Sequence, residues 1–115
     1  HVQGDVVLRS IARCIRDSIR SCDTAARFGG EEFLVLLPET DLKSGAIFAE
    51  RLRKKIEATA ITLENDSIRI TISIGVSTLD PANQAATKEH LLDAADRALY
   101  QSKKTGKNKV SVIPL

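Results

Sequence analysis

The stretch RSCDTAARFGGEEFLVLLP, residues 20–38, decides how the chain is read. Thr24 to Phe28 reads as a strand, Gly29-Gly30-Glu31-Glu32 as the tip of a tight hairpin, and Phe33–Leu37 as a second strand. Five apolar residues in a row predict that this second strand is buried on both faces. Pro38 ends it, because proline has no N–H to give to a ladder. A glycine pair at such a tip is expected to supply positive φ angles. It leaves open why adjacent carboxylates follow, and why an Arg-x-x-Asp pair, Arg20 and Asp23, precedes them.

Outward from the hairpin, the periodicity assigns the remaining elements. Val6, Val7, Leu8, Ile11, Ala12, Ile15 and Ile19 recur at three- and four-residue spacing and predict an amphipathic helix over about 5–19. Arg9, Arg13, Arg16 and Asp17 fall mostly on its other face. Thr40 or Asp41 caps a second helix to about Ala58, with Gly45 a weak point inside it. Asn65-Asp66-Ser67 reads as a turn. Ile68, Ile70, Ile72, Ile74 and Val76 then alternate with Arg69, Thr71, Ser73, Gly75 and Ser77, the strongest strand signal in the chain, with one aliphatic and one small polar face. Thr87 caps a third helix to about Lys104, with Leu91, Leu92, Ala95, Ala98 and Leu99 inward, and Gly106 stops it. Val110, Val112 and Ile113 form a last strand. The order α-β-β-α-β-α-β predicts an α/β sandwich whose helices cover an apolar sheet.

The totals exclude several classes. With 115 residues the chain holds one core, and 43% hydrophobic and 28% charged residues are ordinary for a globular domain. A net charge of +2 does not argue for a nucleic-acid polymer or an anionic membrane surface. There is no membrane-length apolar run, and HVQGDVVLRS lacks the apolar region of a cleavable signal. Cys14 and Cys22 make neither a disulfide framework nor a metal site and read as small core or boundary residues. The abrupt entry through His1-Val2-Gln3-Gly4-Asp5 is expected of an excised domain.

Taken alone, Glu31 and Glu32 are solvated charges at a loop tip. The glycine pair beside them changes the balance. Bare backbone lets a polyphosphate approach outward-pointing N–H groups, and two carboxylates are hard oxygen ligands. Magnesium is usually held by one or two carboxylates together with the substrate's phosphates. The combination points to metal-assisted phosphoryl or nucleotidyl transfer.

At these residues the chain resembles the GGDEF domain of diguanylate cyclases, in its Gly-Gly-Glu-Glu-Phe form. Arg20-x-x-Asp23 and Arg27-Phe28-Gly29-Gly30-Glu31-Glu32-Phe33 carry the resemblance first. Gly4-Asp5-x-x-Leu8, with His1 before it, is similar to the family's Gly-Asp segment. Thr71-Ile72-Ser73-Ile74-Gly75-Val76 is similar to its strand signature, and Ala98-Leu99-Tyr100-x-x-Lys103-x-x-Gly106-Lys107-Asn108 to its closing helix. These motifs stand in the family's order over almost the whole chain.

The resemblance implies an α+β, ferredoxin-like fold of the nucleotidyl-cyclase palm type, antiparallel-rich, over residues 1–115. It implies an enzyme that joins two GTP into cyclic di-GMP and releases two pyrophosphates, with Mg2+ (or Mn2+). Two domains would face each other as a homodimer, each 3′-hydroxyl attacking the partner's α-phosphate. Glu31 would be a metal ligand and proton acceptor, with Glu32 supporting metal binding or catalysis. Gly29 and Gly30 would lie under the nucleotide, Asp5 would take guanine's N–H donors, and Lys103 and Lys107 would reach phosphates. The simpler alternatives are helix capping for Asp5 and dipole complementation for the lysines. Arg20, Asp23 and Arg51 would form the inhibitory site for cyclic di-GMP, since arginine pairs bidentately with guanine O6 and N7. The alternative there is a local ion pair. A cytoplasmic location is implied, including as the cytoplasmic part of a membrane-anchored sensor, with an upstream sensory or receiver domain in control.

Two departures qualify this picture. Lys107 and Lys109 stand where the family more often has arginine, which keeps the charge but loses the planar fork. The family's first, central strand, with its metal-binding Asp and a guanine-contacting Asn, is expected to lie before this chain. Its loss would leave Glu31 short of a carboxylate and two apolar strand edges uncovered, so these residues alone are expected to be inactive. The competing readings are a catalytically silent cyclic di-GMP receptor, a plain interaction domain, and a cyclase that also accepts ATP.

Overall fold

In a computed structural model, which describes residues 2–83 and 85–114, the chain folds as α1 (Val2–Ser18), β1 (Thr24–Arg27), β2 (Phe33–Leu36), α2 (Leu42–Ala58), β3 (Ile61–Leu63), β4 (Asp66–Ile68), β5 (Ile74–Val76), α3 (Lys88–Lys104) and β6 (Val110–Val112). His1 lies outside the described residues. Among the described residues no helix is long and apolar enough to cross a membrane.

The helix signals translate directly. Asp41 caps α2 by accepting from the Ser44 N–H at 2.7 Å. Thr87 caps α3 in a reciprocal box: the His90 N–H donates to Thr87 Oγ1 and the Thr87 N–H to His90 Nδ1, both at 3.2 Å. The inward stripes of α1 and α2 supply the core, in which Cys14, Ile15, Leu52 and Ile56 are buried against Ile11, Ile19, Phe33, Val35, Phe48, Ile70, Ile72 and Ile74. On α3 the buried residues are Ala94, Ala98 and Ser102, whereas Leu92 faces outward. Cys22 is also exposed, and only Cys14 is a core residue.

Strands β5 and β6 pair in parallel, with Ile74 opposite Val110 and Val76 opposite Val112. α3 supplies the crossover that a parallel pair requires. The period of two then sorts their neighbours. Ile74 joins the α1–α2 core, and Val76 Cγ1 lies 3.4 Å from the point where a Cβ on Gly45 of α2 would stand. Gly75 faces the other way, into the α3 backbone. A Cβ built there would sit 2.2 Å from Leu99 N and 2.3 Å from Ala95 O. Ser77 Oγ donates to Leu91 O at 2.7 Å, and the fully buried Ser102 Oγ donates to Ile74 O at 2.9 Å and lies 2.7 Å from Ser111 Oγ. The small polar face of this segment is therefore where α3 packs backbone to backbone.

The expected ten-residue strand is broken. β4 ends at Ile68, β5 begins at Ile74, and residues 69–73 carry no strand pairing. Their side chains keep the alternation, with Ile70 and Ile72 packed on the core and Arg69 and Thr71 exposed. Period two encodes the faces of a strand, but a strand also needs a hydrogen-bonded neighbour, and no described strand lies beside these residues. β2 likewise pairs only with β1, antiparallel from Thr24–Leu36 to Arg27–Phe33. It is half-buried rather than buried on both faces, and Leu36 is 47% exposed. The turn expected over Asn65–Ser67 sits one residue earlier, because Asp66 and Ser67 belong to the β3–β4 hairpin, with Leu63 opposite Asp66. Among the described residues the architecture is thus α+β, with two antiparallel pairs and one parallel pair covered by three helices.

Candidate active site

The hairpin tip is an open loop between Arg27 and Phe33, closed by Phe28 N–H to Glu32 O at 2.8 Å and Gly29 N–H to the same oxygen at 3.4 Å. Neither Gly29 nor Gly30 has a positive φ, so the turn does not need them for that reason. Nor does packing. A Cβ on Gly30 would have nothing within 4 Å, and one on Gly29 only Glu32 Oε1 at 3.7 Å. Their lack of side chains leaves open space that the protein itself does not fill. The tip is braced from one side by Arg27, whose guanidinium donates to Gly30 O at 2.6 and 3.1 Å and to Gly29 O at 3.4 Å. Arg27 was legible as part of the motif, but its bracing role was not.

Glu31 projects into solvent, and Glu32 lies 3.8 Å from Lys103 Nζ of α3. The structure thus brings the end of α3 against the glycine tip. Lys107 does not share the helix with Lys103. It follows the cap at Thr105, with φ 61° after Gly106 at 121°. Dipole complementation within the last turn therefore applies to Lys103 but not to Lys107. Asp5 lies within the first turn of α1, exposed, and does not cap it, which removes the capping alternative. Among the described residues there is no group of three or more His, Cys, Asp and Glu able to hold a metal. The donor set at the tip is two carboxylates, which suits a divalent ion that takes its remaining oxygens from a bound polyphosphate.

A second cluster lies behind the tip. Asp23 accepts from the Arg20 N–H at 2.8 Å, from Arg20 Nε at 3.2 Å and from Arg20 Nη2 at 2.9 Å, and its side chain is 1% exposed. The same Nη2 reaches Pro38 O and Thr40 Oγ1, each at 3.1 Å. Arg20 is 57% exposed. Arg20 therefore offers a free face to a ligand, whereas Asp23 is turned inward and orients it. Arg51 is exposed on α2 beside Lys43, Ala46, Ile47, Glu50 and Lys54, about 15 Å by helix rise from the Asp41 cap. The structure brings Arg20 and Asp23 together, and Arg51 stands on the exposed side of α2.

Arg20's hydrogen bonds hold the Asp23 carboxyl below its usual range, and Asp23 raises Arg20 in turn. The Ser44 backbone and the Arg53 side chain similarly lower Asp41 and Glu50. A carboxyl depressed in the folded state takes its proton in the unfolded state first, so stability present above about pH 4 is lost as the pH falls through the folded value. Asp23→Asn is expected to flatten the acid limb of a plot of urea midpoint against pH from about 5 down to 2.5. An unchanged limb would mean the pair contributes nothing to acid stability.

Bare backbone, hard oxygen donors and a lysine at one corner of an α+β layer are parts that a nucleotidyl-transfer site needs. The comparisons with known proteins narrow the class. Residues 1–109 match the family model described as "Diguanylate cyclase, GGDEF domain", and the chain belongs to that family of enzymes. It is 42% identical over 112 residues to diguanylate cyclase A of Treponema denticola and 39% identical over 112 to the response regulator PleD of Caulobacter vibrioides. These alignments cover 97% and 96% of the chain but only 30% and 24% of the relatives. The GGDEF domain of DgcB from Caulobacter crescentus, solved in complex with c-di-GMP, superposes with a TM-score of 0.89 at 30% identity, covering 97% of this chain and 66% of that one. Diguanylate cyclase SiaD of Pseudomonas aeruginosa, solved with its activator SiaC, gives 0.90 at 34% identity, covering 98% and 42%. The fold and the enzyme family expected from the motifs are those found.

Proposed function

We propose that this domain condenses two GTP molecules into cyclic di-GMP. The observation that carries the proposal is the Gly29–Gly30 tip, bare for no reason of φ or packing, between exposed Glu31 and the Glu32–Lys103 contact. The nucleotide's phosphates lie over the glycines, and Asp5 takes the N–H donors of guanine. Lys103 exchanges Glu32 for a phosphate oxygen, and Lys107 contributes a second positive charge. Glu31, with Glu32, holds Mg2+ or Mn2+, which when bound neutralises phosphate charge. Each 3′-hydroxyl oxygen bonds to the α-phosphorus of the nucleotide on a second, two-fold-related domain. The bond from that phosphorus to pyrophosphate breaks, and the hydroxyl proton passes to the Glu31 carboxylate. Two such steps close the ring and release two pyrophosphates.

Arg20 is the ligand-contacting arginine of a product site, oriented by Asp23, with Arg51 contacting the far part of cyclic di-GMP. The pair's geometry supports this division, since the Asp23 side chain is buried against Arg20 while Arg20 is 57% exposed. Among the described residues the tip offers two carboxylates and 69–73 have no strand partner, and the relatives are much longer than this chain, so turnover is assigned to a full-length, cytoplasmic protein under the control of an upstream domain.

Gly30→Val tests the substrate reading. The new side chain enters open space, so the urea midpoint is expected to stay unchanged, while affinity for a non-hydrolysable GTP analogue with Mg2+ falls by at least about tenfold. Undiminished analogue binding by the folded variant, read by calorimetry, would remove the tip from the substrate site.

A further inference from the structure

Beyond the tip, three consecutive residues after α3 hold positive φ: Gly106 at 121°, Lys107 at 61° and Asn108 at 48°. Glycine adopts this region freely, but lysine does so only at a cost, so the surrounding structure must over-determine it. Part of the restraint is local, since the Lys107 N–H donates to Ser102 O at 2.9 Å. The rest comes from α2, which is far away in sequence. Arg53 Nη1 donates to Asn108 Oδ1 at 2.8 Å, and Asn108 Nδ2 donates to Glu57 Oε2 at 2.7 Å. Arg53 is itself fixed by Glu50, through Nε and Nη2 at 2.7 Å each, and lies 3.5 Å from Glu57. Its side chain is only 13% exposed.

This arrangement has a definite polarity. The Asn108 amide has its oxygen against a cation and its nitrogen against a carboxylate, so a flipped amide would oppose both partners. Arg53's planar fork engages Glu50 with one side and Asn108 with another nitrogen, which an ammonium cannot reproduce. Lys107 is exposed and sits between the free Gly106 and this clamped asparagine.

We infer that Arg53, acting through Asn108 with Glu57, is a positioning residue for Lys107 and sets its approach to the phosphates of GTP. The inference rests on the reading of Lys107 as a phosphate-binding group. Neither Arg53 nor Asn108 touches substrate on this account. Their effect is on where the neighbouring ammonium stands.

The test is a mutant cycle in the intact protein, read as the dissociation constant of a non-hydrolysable GTP analogue with Mg2+ and as KM against kcat. Lys107→Ala is expected to weaken binding about tenfold, Arg53→Ala by about as much, and the two together no further, because a misplaced lysine and a missing one are equivalent. Arg53→Lys is expected to behave like Arg53→Ala. Multiplying effects, or Arg53→Ala at wild-type affinity while Lys107→Ala weakens binding, would overturn the positioning role. An unaffected Lys107→Ala would overturn the phosphate reading and the inference with it. Should Arg53→Ala fail to fold, Asn108→Asp provides the same test. It sets a carboxylate against Glu57 and is expected to weaken binding about tenfold, and adding Glu57→Gln, whose amide can donate, is expected to restore affinity to within about twofold. Failure of that rescue contradicts the proposal.

Discussion

Glu31→Gln in the intact protein is expected to lower kcat for cyclic di-GMP formation by at least about 100-fold, the scale set by a group that accepts the proton in the reacting step. The substitution keeps side-chain size and removes both the negative charge and the proton acceptor. Glu31 is exposed, so the melting temperature is expected to move by no more than a degree or so. Binding of cyclic di-GMP through Arg20 is expected to be unchanged, since that cluster lies on the α1–β1 turn and closes on Asp23, Pro38 and Thr40. Loss of turnover with intact product binding separates the chemistry at the tip from recognition behind it. Turnover within severalfold of wild type would remove Glu31 from the reaction.

The largest structural effect is expected at Gly75. A methyl group there points at Leu99 N and Ala95 O, backbone atoms that cannot rotate away, so α3 must lift from β5. Overpacking of a core typically costs about 1–3 kcal/mol, and a clash with backbone belongs at or above the upper end. At that cost Gly75→Ala is expected to lower the melting temperature by more than about 10 °C. The displacement would also move Lys103 off the tip, because the Ala98–Lys104 end of α3 carries it to Glu32. Gly75→Ala melting like wild type would show that α3 is less tightly seated than the backbone contact implies.

What could be read from the sequence follows its local physics. The helices were legible because apolar residues at three- and four-residue spacing need only one face to be covered, and Asp41 and Thr87 are capping residues by their chemistry. The two faces of Ile68–Ser77 were legible from alternation, and the structure gives each a cause: aliphatic toward α1 and α2, small toward α3. Whether 69–73 form a strand was not, because pairing depends on a neighbour that composition cannot supply. The short β3–β4 hairpin carried too few residues to show a period.

The site divided in the same way. Gly29–Gly30 stood out in the sequence, but the first reason offered for it, positive φ, fails, and the open space at both glycines favours the ligand reading. Arg20 and Asp23, three residues apart, were visible as a pair, although their inequality of exposure was not. Glu50, Arg53 and Glu57 stand at i, i+3 and i+7 and were open to reading as a charged helix face. Their hold on Asn108 spans 55 and 51 residues and only tertiary structure could reveal it.

On the proposed function, the glycine tip binds GTP for synthesis rather than serving a domain that only senses product. Incubating the intact protein with GTP and Mg2+, and analysing the mixture by mass spectrometry with a pyrophosphate assay, measures this directly. The expected result is one cyclic di-GMP for every two pyrophosphates, abolished by Glu31→Gln. Neither product nor pyrophosphate, with cyclic di-GMP still bound in an Arg20-dependent manner, would contradict the claim and identify a receptor.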